Sequence, residues 1–64
     1  MGLKQYYLKK IQIIDVDGQC FKGVVNDYIY PEDNENEKES IIVDTIDGRV
    51  IEFYEYDIRS IKLI

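Results

Sequence analysis

The sequence predicts an all-β fold, and three observations support this. Eleven of the 64 residues are Ile and five are Val, whereas three are Leu and none is Ala. Branching at Cβ restricts χ1 and suits a pleated sheet, while a helical bundle favours Ala and Leu. Two Asp-Gly pairs lie between β-branched segments, and apolar and polar residues alternate beside them. A chain of this length forms one small domain.

Each Asp-Gly pair predicts a β-hairpin. This dipeptide suits a two-residue type I′ turn, because both central positions of that turn need positive φ. We expect residues 1–5 to be a short disordered lead before the first strand. The pairs are Asp17-Gly18, between strands at about 8–16 and 19–30, and Asp47-Gly48, between strands at about 40–46 and 49–55.

Further residues mark where strands bend and end. Gly23 indicates a bulge or a sharp bend inside the second strand. Pro31 ends that strand, because it lacks the N–H that a ladder needs. Ile58 and Ile61 are three residues apart, which predicts one tight helical turn, and alternation resumes from Ile61 to Leu63 as a short last strand.

Five meandering strands, with a bent second strand and a helical turn before the fifth, describe an SH3-type barrel. "IIDVDGQCFKGVVNDYI" resembles the first signature of Sm-like proteins in its turn glycine, aromatic, bend glycine, aliphatic and acid (Gly18, Phe21, Gly23, Val25, Asp27). "FYEYDIRSIKLI" is similar to the end of an Sm-like barrel.

More narrowly, residues 11–64 resemble short uncharacterised Sm-like proteins of Gram-positive bacteria and their mobile elements. The resemblance implies one domain over residues 1–64, a strongly bent, five-stranded SH3-like or Sm-like small barrel. It also implies open edges at strands four and five, which Sm-like proteins use to build rings by strand addition.

Two departures from the Sm-like pattern concern RNA. Sm-like RNA binders place an Asn shortly after the strand-two acid, where this chain has Tyr28 to Pro31. Their Arg-Gly or Lys-His element is replaced here by Tyr56 and Asp57. RNA binding inferred from the fold would therefore be analogy alone.

Charge is unevenly distributed along a chain of net charge −5. Residues 23–47 hold eight acids and one Lys, and the acids concentrate in a long acidic loop at 31–39. Neighbouring antiparallel strands need roughly two to five connecting residues, so this length suggests a role. The candidate surface for a basic protein partner comprises Glu32, Asp33, Glu35, Glu37, Glu39, Tyr28 and Tyr30.

Two alternatives use other side chains. Lysines beside paired tyrosines could bind nucleic acid, although the interleaved acids repel phosphate. The acids at 33–39 alternate as in half a calcium loop, but Lys38 stands where the calcium hand needs Gly, so only weak calcium binding is expected. The nucleic-acid candidates are Lys4, Lys9, Lys10, Lys22, Tyr54 and Tyr56.

Catalysis is not expected. The chain has no His, which excludes Ser-His and Cys-His pairs and a His zinc site. Cys20, the single thiol, is interpreted as a small strand residue; one Cys forms no internal disulfide, which favours a reducing, cytoplasmic setting. No apolar run is long enough for a membrane span. The leading hypothesis is a non-catalytic protein-interaction or self-assembling barrel module, without metal or cofactor.

Overall fold

The computed structural model describes residues 2–64 and contains five β-strands. Three 3-10 turns accompany the strands, at Lys4–Tyr6, Pro31–Asp33 and Glu55–Asp57. Among residues 2–64, no helical segment is long and apolar enough to cross a bilayer. The all-β prediction is confirmed, and a helical turn precedes the last strand, although it lies earlier than the spacing of Ile58 and Ile61 predicted. The strands are β1 (Lys10–Asp15), β2 (Cys20–Ile29), β3 (Ser40–Thr45), β4 (Val50–Tyr54) and β5 (Ile58–Leu63).

The strands form one antiparallel sheet in the order β4-β3-β2-β1-β5. Hairpins join β1 to β2 and β3 to β4, and β5 returns to lie beside β1. Within residues 2–64, β4 and β5 each pair with a single neighbour, so they are the two edges of an open sheet.

One face of the sheet builds the core. Directly opposite residues share a face, so Ile13 lies between Phe21 on β2 and Ile61 on β5. The rings of Phe21 and Phe53 meet edge to face, with centroids 5.2 Å apart. The buried apolar side chains are Leu3, Ile11, Ile13, Phe21, Val25, Ile41, Val43, Phe53 and Ile58.

The Asp-Gly turns are longer than the predicted type I′ turns, and that prediction is wrong. Asp15 N–H donates to Gln19 O at 2.9 Å, and Gly18 N–H donates to Asp15 O at 3.0 Å. The loop therefore spans three residues, with positive φ at its glycine alone (84° at Gly18, and 89° at Gly48 in the second loop). This is a type I turn followed by a glycine bulge.

A bulge changes the alternation of β2. The pairing with β3 shifts register between Val25 and Asp27. After the extra residue, Tyr28 lies opposite the buried Ile41 and packs against the core. The bulge lies beyond Gly23, whose role is close approach instead, because a Cβ there would lie 2.1 Å from the backbone oxygen of Asp44.

A second bulge explains the spacing in the tail. Ser60 lies opposite Ile14, but Ile58 lies opposite Asp15, so one residue of β5 is extra. The bulge lets Ile58 and Ile61 face the core although they are three residues apart. The helical turn predicted from this spacing is displaced, because the observed turn ends at Asp57 and β5 begins at Ile58.

The opening segment differs from the expected disordered lead. Leu3 is fully buried in the core, and a 3-10 turn follows at Lys4–Tyr6. Leu8 adopts a positive φ of 65°, and its N–H donates to Val25 O at 2.8 Å. Burial of Leu3 compensates for the entropy of ordering this segment. Met1 lies outside the described residues.

Candidate functional site: the acidic loop and the tyrosine pairs

The acidic loop, residues 31–39, begins with a helical turn at Pro31–Asp33. Pro at the first helical position has its φ already fixed and lacks an N–H that would be unpaired there. Asp33 N–H donates to Tyr30 O at 2.9 Å, and Asn34 N–H donates to Pro31 O at 3.1 Å. The loop therefore leaves β2 in a defined direction.

Asparagines hold the rest of the acidic loop in shape. The Asn34 side-chain amide donates to Lys38 O at 2.7 Å and to Ser40 Oγ at 3.1 Å. Lys38 N–H donates to Asn36 Oδ1 at 3.0 Å. Glu37 takes a positive φ of 59°, and its N–H donates to Asn34 O at 3.0 Å. The two asparagines thus have a structural role, while the acids around them stay free for other contacts.

Four of the five predicted carboxylates of the acidic loop are exposed, and the fifth is half-buried. Glu39 is the half-buried one, and it accepts a hydrogen bond from Leu3 N–H. Within residues 2–64, no three Asp, Glu or Cys side chains converge where they could hold a metal ion. The exposed set is Glu32, Asp33, Glu35 and Glu37.

Tyr28 and Tyr30 share one face beside this loop, as predicted, with ring centroids 5.0 Å apart and nearly perpendicular planes. Lys4 Nζ lies 5.0 Å from the centroid of the Tyr30 ring. A side-chain hydrogen bond with Tyr30, followed by the charge interaction with the same side chain, raises the pKa of Lys4 above its ordinary value. Burial, followed by the nearby Glu39 carboxylate, raises the pKa of Tyr28. The pair therefore forms an aromatic ledge in which the Tyr28 ring is half-buried and the Tyr30 ring is exposed.

Tyr54 and Tyr56 lie at the same end of the sheet as the pair Tyr28 and Tyr30. This follows because Ser40 pairs with both Ile29 and Tyr54. Their rings stack, with centroids 5.4 Å apart and planes 9° from parallel. The Asn36 side-chain amide donates to the Tyr56 hydroxyl at 3.1 Å, so the acidic loop touches this pair directly. Burial raises the pKa of Tyr54, and Glu52 contributes.

The structure divides the predicted nucleic-acid residues into separate groups. Lys4 is engaged by Tyr30 at the end of β2. Lys10 and Lys22 are diagonal neighbours across β1 and β2, because Lys10 lies opposite Val24. Tyr54 and Tyr56 belong to β4 and the turn after it, and two strands separate β4 from β1. Lys9 is exposed just before β1.

Sequence reasoning missed an apolar groove on the outer face. Val24, Ile46 and Ile64 line it together with Lys10 and Lys22. No signal of it was present in the sequence, because Ile46 stands at the end of the predicted strand at about 40–46, where a β-branched residue is expected.

Comparison of the chain with protein-family models, curated proteins and solved structures finds no match in any of the three.

Proposed function

We propose that this chain is a non-catalytic, SH3-like or Sm-like small-barrel protein that assembles with further copies of itself. In this assembly, β4 of one copy pairs with β5 of the next. The observation that carries the proposal is the open sheet, whose two edges are these two strands.

Alternate backbone N–H groups of β5 point away from β1, toward the free edge of the sheet. Ile64 N–H donates to Lys10 O at 3.2 Å. Because bonding direction alternates along an antiparallel strand, Lys62 and Ser60 also bond toward β1. The N–H groups of Ile61 and Leu63 therefore point to the free edge.

The same reasoning applies to β4. Thr45 N–H donates to Arg49 O at 2.8 Å, so Ile51 and Phe53 bond toward β3. Val50 and Glu52 then present their N–H groups to the free edge. Both edges thus carry the alternating donors and acceptors that an added strand needs.

Charge favours pairing between unlike edges. Strand β5 carries Arg59 and Lys62 and no acid, whereas β4 carries Glu52 and no base. Like charges directly opposite each other destabilise a strand pair. Contact between β4 and β5 avoids that, while a β5–β5 contact brings cations together. A head-to-tail contact of this kind forms a ring or a filament, depending on whether the rotation closes.

The edges also expose apolar side chains. Val50 is 68% exposed on β4, and Leu63 is 59% exposed on β5. Burying these side chains between copies adds an apolar contribution to the main-chain hydrogen bonds.

Sedimentation equilibrium and light scattering across the micromolar range test the assembly. We expect a mass that is a multiple of the chain mass. Val50→Pro removes a free-edge donor without removing a bond to β3, so it should weaken each contact about threefold to tenfold. Val50→Thr, which keeps the N–H and the branched Cβ, is the matched control. A mass equal to one chain throughout would contradict the proposal.

The acidic loop is the second contact surface of the proposed module, directed at a basic protein partner. Its four exposed carboxylates support this assignment, as does the contact from Asn36 to Tyr56. Replacing Glu32, Asp33, Glu35 and Glu37 by Gln or Asn together should abolish binding to a polylysine-type peptide while leaving the assembled mass unchanged. The cytoplasmic setting stays a prediction.

A further inference from the structure

The outer face of the sheet carries a groove of about 400 Å³ whose lining includes no residue of β4 or of the acidic loop. Three aliphatic side chains line it although they are exposed to solvent. Ile46 is 80% exposed, Ile64 is 57% exposed and Val24 is 36% exposed. Exposed apolar groups gathered in one concave surface mark a binding site more often than the same groups scattered singly.

Ile46 is held in place at the centre of this region. Its N–H donates to Lys22 O at 2.9 Å, which docks the β3–β4 loop onto β2. A second cavity of about 260 Å³ lies against the same residue, and there Arg49 covers the Phe21 ring at 5.3 Å. Ile46 therefore lines both concave surfaces, and its backbone is hydrogen-bonded to β2.

The groove carries cations that have no anionic partner in the described part of the chain. Lys10 and Lys22 line it, and the ion pair formed within residues 2–64 is Arg49 with Asp47 at 2.9 Å. The carboxylate in the groove wall, Asp44, accepts a hydrogen bond from the Asn26 side-chain amide at 2.6 Å. The lysines thus remain available to an anion brought by a partner.

We propose that this groove binds an acidic peptide segment of a partner protein, with aliphatic side chains against Val24 and Ile46 and carboxylates toward Lys10 and Lys22. Charge complementarity favours this occupant, because the lining has two lysines against one acid, Asp44, which already accepts a hydrogen bond from a side-chain amide. A nucleic-acid strand fits less well. None of the described residues that line the groove is aromatic, so bases find no stacking platform.

The proposal is separate from the edge assembly, since the groove uses side chains of the outer face. A fluorescein-labelled peptide of alternating valine and glutamate is the probe. Its binding is followed by fluorescence anisotropy and by the backbone amide shifts of the protein. We expect shifts concentrated at Lys22, Val24 and Ile46. A peptide of alternating valine and lysine should produce none there.

Variants locate the contact. Ile46→Ser should weaken binding about tenfold, because an aliphatic contact is lost. Lys22→Glu should weaken it about tenfold or more, because attraction becomes repulsion. Val16→Ser changes the equivalent position of the first hairpin loop and should leave binding unchanged.

Three outcomes would overturn the groove proposal: no amide shifts around the groove, equal binding of both peptides, or preferential binding of oligouridylate at Lys10 and Lys22. Val50→Pro distinguishes this proposal from the edge assembly. We expect Val50→Pro to weaken the assembly and to bind the peptide as the parent chain does. If the parent chain is a monomer and still binds the peptide, the edge proposal alone fails.

Discussion

The two hairpin loops, Val16–Gly18 and Ile46–Gly48, share one backbone conformation but are stabilised by different side-chain hydrogen bonds. Each closes with the glycine N–H donating to the carbonyl of the residue before the loop, at 3.0 Å in the first and 3.1 Å in the second. Each has positive φ at its glycine. The shared Asp-Gly pair thus specifies the loop geometry, while the residue before the loop decides how it is stabilised.

A carboxylate fastens the first loop. Asp15 Oδ1 accepts the N–H of Asp17 at 3.0 Å and that of Gln19 at 2.8 Å. The loop then docks on the start of β5, where Val16 N–H donates to Asp57 O at 3.0 Å and Arg59 donates to Val16 O at 3.2 Å. Both backbone groups of Val16 are used, so this loop is part of the framework.

A buried hydroxyl fastens the second loop. Thr45 is 8% exposed, and its Oγ1 accepts the N–H of Arg49 at 2.9 Å and donates to the Asp47 carboxylate. The loop docks on β2 by the N–H of Ile46, whose side chain extends into solvent. The buried Thr45 hydroxyl therefore stabilises the second loop at its base, and the Ile46 side chain stays exposed to solvent.

The largest expected effect comes from removing the aromatic contact between the two hairpins. Phe21 follows the first loop, Phe53 follows the second, and their rings join the hairpins at 5.2 Å. Phe53→Ala should cost about 3–5 kcal/mol of unfolding free energy, a large part of what a small domain has. Urea denaturation followed by circular dichroism measures the cost. Tyr7→Ala, at a 44% exposed position, is the control. A cost for Phe53→Ala below about 1 kcal/mol would place that ring outside the core.

The next effect tests whether the two loops share one backbone. Gly18→Val and Gly48→Val should each cost about 1–2 kcal/mol, because a β-branched residue resists positive φ. A Cβ would meet no atom within 4 Å at either glycine, so backbone conformation alone sets the cost and the two values should agree. Thermal unfolding measures both.

Two controls sharpen the glycine comparison. Gly2→Val should be nearly neutral, because a Cβ there also meets nothing within 4 Å and the residue lies outside both hairpin loops. Gly18→Asn should cost less than Gly18→Val, since Asn tolerates the left-handed region. Unequal costs for Gly18→Val and Gly48→Val would show that docking, rather than φ, dominates one loop.

Local chemistry in the sequence was enough to predict the all-β class, the hairpin positions and the end of β2 shortly before Pro31. Each of these depends on a few adjacent residues. The bulges were not predictable in the same way. Strand β2 pairs with β1 and β3 at once, and the register shift after Val25 arises from fitting both partners. No local pattern around Asn26 encodes that requirement.

The candidate site likewise has one part that was predicted from the sequence and one part that was not. The contact within each tyrosine pair was predicted from a spacing of two residues, although Tyr30 lies just after β2 and Tyr56 lies in the turn after β4. The groove was not, because Val24, Ile46 and Ile64 belong to three separate segments that only the sheet order brings together.

The smallest expected effect is a pH dependence confined to the second loop. Hydrogen bonds from Arg49 and then from the Thr45 hydroxyl hold the pKa of Asp47 below its ordinary value of 3.8. A carboxyl whose pKa is lower in the folded state stabilises that state at higher pH, and the contribution disappears as pH falls through the folded pKa. Asp47→Asn should therefore lower the unfolding free energy slightly at pH 7 and make progressively less difference below pH 3.8. Urea denaturation at a series of pH values measures this, with Asp17→Asn at the same position of the first loop as the control. If Asp47→Asn and the parent chain differ equally at pH 7 and pH 2, the carboxylate does not fasten the loop, and Thr45 alone does.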